Sequence, residues 1–252
     1  MKTKIVALVL TLTMFTGCTE LMQILQTVPA TGALTEADVI SGLKEALIVG
    51  ARNSAGKLSA ANGYYNDPAV KIPLPEEAMV IVENISKIPG GEKLIEDVIL
   101  NINRAAEDAA REAAPIFVNS VNQLTISDGF NILRGADNAA TRYLISTTYT
   151  DLYNLYKPKI EASTRKDMVA GVSASESWEL LTTKWNSFAG SLAGRLGGFK
   201  TVTTDLDDFL TRKALDGIFL KIEDEELKIR KEVSARVTPI LRKVFGSLDI
   251  NN

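Results

Sequence analysis

From residue 34 onward, the sequence predicts an all-α fold, arranged as a single multi-helix globular domain. Apolar residues recur with the 3.6-residue period of amphipathic helices. Acidic, Ser or Thr residues precede these segments, and Gly or Pro residues follow them, as at helix starts and stops. The alternation of apolar and polar residues that marks strands is not evident, so we expect little or no sheet.

The first predicted helix follows Thr35, which suits an N-cap position. The turn-forming pair Asn62-Gly63 ends this region. Pro75 with Glu76-Glu77 marks the next helix start, because proline and acids both favour the first turn. Pro89-Gly90-Gly91 then marks a stop. One face of the first helix carries the apolar residues Val39, Ile40, Leu43 and Leu47.

After this stop, residues 92–114 predict a long, Ala-rich helix. We expect an interruption at Pro115, since proline breaks a helix interior. Residues 237–245 predict a last short helix. Further N-cap candidates are Ser127, Asp128, Asp137, Thr204 and Asp205.

The first 17 residues have the features of a secretory signal peptide. Lys2 and Lys4 supply positive charge, and Ile5–Phe15 is an apolar run of 11 residues. That run is well short of the roughly 20 residues that span a bilayer. Small residues then precede Cys18, the single cysteine of the chain.

The segment Phe15-Thr16-Gly17-Cys18 resembles a lipobox, although Phe15 stands where that motif usually has Leu. The resemblance implies cleavage before Cys18 and acylation of its sulfur, with diacylglycerol and palmitate-type chains that anchor the protein to a membrane. A plain signal peptide with a chance cysteine is the alternative. Thr19, rather than Asp, follows the cysteine, and similarity to proteobacterial sorting rules then favours the outer over the inner membrane of the bacterial cell envelope.

The predicted organisation therefore has four parts. They are a signal peptide over 1–17, a lipidated N-terminus and short tether over 18–33, an all-helical domain over 34–247 and a tail over 248–252.

Composition excludes several classes of function. The chain has no histidine, which removes the usual general base near neutral pH and the commonest transition-metal ligand. With Cys18 acylated, no thiol remains for nucleophilic catalysis, disulfides or metal binding. The chain carries a net charge of −3, and removal of the signal peptide deletes two lysines and no acidic residue. The mature chain is therefore more negative still, which disfavours nucleic acid as a partner. We expect no cofactor and no bound metal.

Eight short patches together resemble the bacterial "domain of unknown function 4197" lipoproteins. The resemblance extends over roughly residues 34–245. It implies an α-helical exported protein and no particular activity. The patches are Lys71–Glu76, Asn103–Glu107, Ala114–Phe117, Gly135–Thr141, Leu215–Phe219, Glu225-Glu226, Ile229-Arg230 and Arg236–Pro239.

The most distinctive polar group lies on the long Ala-rich helix and consists of Asn103, Arg104 and Glu107. At 100° per residue, Asn103 falls within the apolar arc and Glu107 at its edge, one turn further on. The alanines around them allow another element to approach closely. We expect Asn103 and Glu107 to meet a neighbouring helix, with Asp137 and Thr141 as the candidate partners.

Three interpretations of this polar cluster remain open. It can be a buried network that fixes helix register, because buried polar groups require partners. It can be an exposed pair of Glu107 with Arg111. It can also form the polar floor of a small-ligand pocket.

Two acidic groups receive structural interpretations. Asp205, Asp207 and Asp208 lack the Gly and closing Glu of a calcium loop, so helix capping is favoured over cation binding. The run Glu223–Glu226 is interpreted as a solvated face that pairs with nearby basic residues.

The leading functional hypothesis is a non-catalytic envelope protein, anchored by its lipid, that binds an envelope protein or a small ligand. The alternative is a carboxylate-dependent hydrolase acting on cell-envelope polymers. Such an enzyme requires two carboxyl groups about 5–10 Å apart in one cleft.

Overall fold

The computed structural model describes residues 33–249. The predicted signal peptide, Cys18 and the tether before residue 33 lie outside the described residues. Within 33–249 the chain forms ten α-helices and one short β-hairpin, so the prediction of an all-α fold is confirmed. No helix in this range has both the length and the hydrophobicity needed to cross a bilayer.

The helices are α1 Glu36–Leu58, α2 Met79–Glu83, α3 Gly91–Ala110, α4 Ala113–Gln123, α5 Gly129–Leu133, α6 Ala139–Thr164, α7 Ala174–Gly190, α8 Leu192–Leu196, α9 Leu206–Lys231 and α10 Pro239–Gly246. Single 3-10 turns occur at Glu76–Ala78, Ile85–Lys87 and Val233–Ala235. Strand β1 Asp167–Val169 pairs antiparallel with β2 Val172–Ser173.

Helix α1 lies at the centre of the domain and packs against α4, α5, α9 and α10. Small residues make this close packing possible. A Cβ on Gly42 would lie 2.6 Å from Cγ2 of Val244 in α10, and a Cβ on Gly50 would lie 3.2 Å from Cγ2 of Ile222 in α9. Both distances are short for van der Waals contact, so these glycines set how closely the helices approach.

The predicted apolar stripe of the Ala-rich helix is the buried face of α3, which packs against α6 and α7. Val98, Ile102, Ala106 and Ala109 are all buried. Because alanines cover much of this face, the backbone of α3 can come close to its neighbours. Polar side chains on the same face are consequently buried with it.

The interruption expected at Pro115 occurs slightly earlier in the chain. Helix α3 ends at Ala110 and α4 begins at Ala113, which places Pro115 in the first turn of α4. Proline has no backbone N–H, but in the first turn of a helix this N–H would have no helical acceptor, so no hydrogen bond is lost. In a continuous helix the proline ring would clash with the carbonyl four residues earlier, at Arg111, and the break falls at that point.

Of the further N-cap candidates, Asp128 and Asp205 are confirmed, whereas Ser127, Asp137 and Thr204 are not the N-cap residues of their helices. Asp128 accepts a hydrogen bond from the N–H of Asn131 at the start of α5, and Asp205 does the same for Asp208 at the start of α9. Asp137 does not cap α6, whose N-cap residue is Asn138. The Asp137 carboxylate instead pairs with Nζ of Lys231, 3.0 Å away.

Candidate functional site

Asn103 on α3 is fully buried and fastens the chain segment that follows α1. This segment, residues 59–75, is called the 59–75 loop. The Asn103 Oδ1 atom accepts from the N–H of Ile72 at 2.9 Å, and its Nδ2 donates to the carbonyl of Ile72 at 2.8 Å. The same Nδ2 donates to the carbonyl of Ile99 at 2.7 Å. One side chain therefore satisfies both backbone groups of a buried loop residue.

Glu107 holds the beginning of the same loop. Its carboxylate accepts hydrogen bonds of 3.1–3.2 Å from the backbone N–H groups of Asn62, Tyr64 and Tyr65. Arg104 donates to the same carboxylate at 2.5 Å and to Oδ1 of Asn62 at 2.7 Å. These four donors compensate the charge of a buried carboxylate, which would otherwise be costly.

The loop held by Asn103 and Glu107 inserts Tyr64 between α3 and α9. The Tyr64 ring is fully buried, and its hydroxyl donates to the carbonyl of Ala214 at 2.7 Å. Gly217 provides the space, because a Cβ there would lie 2.7 Å from Cε1 of Tyr64. Burial raises the pKa of Tyr64 well above its ordinary value, so the phenol stays neutral and acts as a donor.

The five polar residues singled out from the sequence do not form one cluster. The expected contact of Asn103 and Glu107 with Asp137 and Thr141 is wrong. Asn103 and Glu107 bind the 59–75 loop, and Thr141 donates through both its N–H and its hydroxyl to Glu226, at 2.7 Å each. Because the 59–75 loop packs against the polar edge of α3, Asn103 and Glu107 are paired with this loop and not with α6.

Glu226 on α9 caps the N-terminus of α6 from a neighbouring helix. It accepts from the N–H groups of Ala140 and Thr141 and from the guanidinium of Arg230. Free N–H groups at a helix N-terminus favour a negative charge, which explains why a carboxylate serves here. Arg230 also donates to the carbonyls of Ile132 and Leu133. Glu226 thereby joins α5, α6 and α9.

The interpretation of Glu223–Glu226 as a solvated face is wrong for Glu225 and Glu226, which are only 8% and 1% exposed. Glu226 is the more deeply buried of the two. Its spacing from Ile222 and Ile229 matches one helical face, and this pattern could have revealed its burial. Arg236 extends the same network by donating to the carbonyls of Ile229 and Arg230. Arg236 also pairs with Asp249, which fastens part of the predicted tail to the domain.

These contacts favour the structural interpretation of the polar cluster. Glu107 and Glu226 are two of the buried carboxylates, and each is engaged by at least two backbone N–H groups and one arginine. Carboxylates engaged in this way have little capacity left to bind a ligand. We therefore treat Asn103, Arg104, Glu107 and Thr141 as residues that position the fold.

An open groove between α4 and α6 has different properties. Its volume is about 670 Å³. Its rim is fixed where α4 ends, because Lys44 donates to the carbonyl of Asn122 and the Tyr143 hydroxyl donates to the carbonyl of Thr125. The groove is lined by Asn119, Ser120, Gln123, Leu124, Thr125, Thr147, Thr148, Asp151, Asn154 and Leu155.

The lining is rich in uncharged hydrogen-bonding groups. Within residues 33–249, the exposed amides of Asn119, Gln123 and Asn154 make no side-chain hydrogen bond, so their donors and acceptors face solvent. Among the described residues that line the groove, Asp151 is the one charged residue, and none is a cation. The arrangement can bind a ligand that offers several hydroxyl or amide groups.

This groove was not predicted from the sequence. A signal was present in α6, where Thr147, Asp151 and Asn154 recur at helical spacing and form a polar stripe. Polar stripes on a helix usually face water without further purpose. Only the position of α4 beside this stripe turns it into a groove.

No group of three or more His, Cys, Asp or Glu residues in the described part of the chain is placed to hold a metal ion. The aspartates near the start of α9 are engaged by the protein itself. Asp205 caps the helix, Asp207 accepts from the Thr164 hydroxyl, and Asp208 accepts from Tyr153 and Arg212.

The fold and these contacts define a class of protein: an all-helical domain in which two buried carboxylates fasten a loop and a helix end, beside a neutral polar groove. Residues 33–246 match the model of the family described as "Protein of unknown function (DUF4197)", and the chain belongs to this family. The family resemblance of the sequence patches is thus confirmed. No curated protein and no solved structure matches the chain.

Proposed function

We propose that this protein is a non-catalytic binding protein of the bacterial cell envelope, anchored to a membrane through a lipid on Cys18. The groove between α4 and α6 is its ligand site. The observation that carries the proposal is the set of exposed side-chain amides that line this groove and make no hydrogen bond within the described residues. The export signal and the cysteine that follows it support the location.

The proposed ligand is a neutral molecule rich in hydroxyl and amide groups, such as the glycan part of an envelope polymer. Asn and Gln side chains both donate and accept hydrogen bonds, which suits hydroxyl and acetamido groups. None of the groove-lining residues within 33–249 is a cation that could attract a phosphate or carboxylate, and Lys44 at the rim is engaged by the Asn122 carbonyl. Leu124 and Leu155 add apolar surface of the kind that the carbon face of a sugar ring can cover.

The same lining favours binding over hydrolysis. Glycosidases ordinarily use two carboxyl groups, one as acid and one as nucleophile or base. In the part of the chain that the structure describes, Asp151 is the one carboxylate that lines the groove. The carboxylate-dependent hydrolase remains the alternative, and release of soluble fragments from envelope glycan by the purified chain would establish it in place of binding.

The lipid anchor is tested by Cys18→Ser. The variant removes the sulfur that would carry the lipid, and we expect the mature protein to move from the membrane to the soluble periplasmic fraction. Fractionation followed by immunoblotting measures this. A variant that partitions fully with membranes would show that Cys18 is not the anchor.

Ligand binding is tested by co-sedimentation of the mature chain, carrying Cys18→Ser, with purified insoluble envelope glycan. The double variant Asn119→Ala, Asn154→Ala removes amides from both sides of the groove. It should weaken binding about fivefold or more, since each lost hydrogen bond contributes about 0.5–1.5 kcal/mol. Asn122→Ala is the matched control, because Asn122 is exposed on α4 outside the groove lining. Equal binding by both variants would contradict the site.

A further inference from the structure

The end of α7 and the short helix α8 present two unusually exposed leucines. Residues 184–200 are called the α8 tip. Leu192 is 69% exposed and Leu196 is 81% exposed, and both lie on α8, four residues apart. This spacing places both side chains on one side of the helix. The tip therefore offers an apolar edge to its surroundings.

The base of the α8 tip is firmly packed, so the leucines are presented from an ordered platform. Trp185, Phe188 and Phe199 pack with ring centroids 5.4–5.7 Å apart. The Trp185 indole N–H donates to the carbonyl of Lys200 at 2.9 Å. Gly194 lets α8 lie close to α7, because a Cβ there would come within 2.2 Å of the Phe188 carbonyl oxygen.

The charge of this region is opposite to that of the whole chain. The sequence from residue 180 to residue 204 contains Lys184, Arg195 and Lys200 but no acidic residue, whereas the chain as a whole has a net charge of −3. Lys87 adds a further cation, with its Nζ atom 5.6 Å from the centre of the Phe199 ring. Cations thus flank the exposed leucines.

We propose that the α8 tip docks on an anionic phospholipid surface. Leu192 and Leu196 enter the boundary between headgroups and acyl chains, while Arg195 and Lys200 pair with headgroup phosphates. Apolar residues flanked by Lys and Arg are the pattern by which surface segments bind anionic membranes. In a symmetric dimer formed through this tip, the cations of the two copies would face each other and repel, whereas an anionic lipid surface attracts them; the charge therefore favours lipid over a second copy bound tip to tip.

This docking is independent of the groove and goes beyond the proposed function. Two leucines and a few cations bind a membrane only weakly by themselves. A lipid on Cys18 would hold the chain near the same surface and raise the effective concentration of the tip. The tip would then orient a tethered domain on its membrane.

The test uses the mature chain with Cys18→Ser, so that no lipid contributes to binding. Co-sedimentation compares vesicles of phosphatidylcholine alone with vesicles that also contain phosphatidylglycerol. We expect binding to the anionic vesicles that weakens as salt is raised, and little binding to the neutral ones. Equal binding to both kinds of vesicle, or to neither, overturns the proposal.

Leu192→Ser with Leu196→Ser should lower the affinity for anionic vesicles at least tenfold while leaving glycan co-sedimentation unchanged. The matched control is Val233→Ser with Val237→Ser, a pair of exposed apolar residues elsewhere, at 66% and 60% exposure. Unchanged vesicle binding in the leucine variant overturns the proposal. A second result also overturns it: the wild-type chain binds no vesicles but forms a dimer, and the leucine variant is monomeric. In that case a second copy of the chain covers the tip.

A second measurement does not rely on loss of binding. In the Cys18→Ser chain no cysteine remains, so Leu196→Cys introduces a single labelling site. An environment-sensitive fluorophore at this site should shift to the blue on addition of anionic vesicles, and the same label at Val237→Cys should not. Absence of a shift at position 196 overturns the insertion of α8.

Discussion

The side-chain amide of Asn103 pairs with both backbone polar groups of Ile72, 31 residues earlier in the chain. The amide accepts from the Ile72 N–H and donates to the Ile72 carbonyl, much as a neighbouring strand would. One turn later on α3, Glu107 binds the start of the same loop. Helix α3 therefore holds the 59–75 loop at two points, and Tyr64 is buried between them and α9.

Asn103→Ala should lower the free energy of unfolding by about 2–4 kcal/mol, because it leaves both buried backbone groups of Ile72 without partners. Chemical denaturation of the mature chain carrying Cys18→Ser measures this. Asn122→Ala, at an exposed position on α4, is the control and should change the midpoint little. Similar midpoints for the two variants would show that the Asn103 contacts contribute nothing to stability.

Glu107→Gln keeps the size of the side chain but turns one of its acceptor oxygens into a donor. That new donor faces backbone N–H groups or Arg104, so we expect a loss of about 1–3 kcal/mol in stability. Co-sedimentation with envelope glycan should be unaffected, since Glu107 does not line the groove. The exposed Glu77→Gln serves as the control. Loss of glycan binding with full stability would instead identify Glu107 as part of a ligand site.

Gly42→Ala and Gly56→Ala, on the same helix, should have opposite effects. A methyl group at position 42 meets Val244 at 2.6 Å, and such overpacking costs about 1–3 kcal/mol. Nothing lies within 4 Å of a methyl group at position 56, where alanine should stabilise the helix by about 0.5–1 kcal/mol. Thermal unfolding followed by circular dichroism compares the two. A stabilising Gly42→Ala would mean that α1 and α10 pack less closely than described.

Glu225 should contribute a pH-dependent part of the stability. Burial alone would raise the pKa of Glu225, but hydrogen bonds from Lys228, Lys57 and Asn53 outweigh it and lower that pKa from 4.5 to about 2. The charged form is thus favoured in the folded state. Its contribution is complete above about pH 4.5 and is lost as the pH falls toward 2.

Glu225→Gln removes this dependence. Between pH 4.5 and 2, the unfolding free energy of the variant should fall less steeply than that of the parent chain. The difference should shrink in high salt, because Lys57 is largely exposed. Parallel pH profiles for the two proteins would show that the pKa of Glu225 is the same in the folded and unfolded states.

Much of the fold was predictable because its signals are local. The cap at Asp205, the buried stripe of α3 and the order of the helices each depend on residues a few positions apart. Pro115 shows the limit of such reasoning. The sequence contains the proline that breaks the helix, but the break appears four residues earlier, at the carbonyl with which its ring would clash.

The partners of the polar side chains were decided by the tertiary structure. Helical periodicity places Asn103 and Glu107 on the buried face of α3. It does not show that a loop, and not another helix, packs against them. Glu226 caps α6 across 85 residues of chain, although it belongs to an acidic run whose first two members, Glu223 and Asp224, are half-buried. The amides of the groove became a candidate site only where α4 lies beside α6. Capping and periodicity involve residues within a turn or two of helix, so the sequence alone can indicate them. Hydrogen bonds require a distance of about 3 Å, so the pairing of groups far apart in the sequence depends on the path of the whole chain.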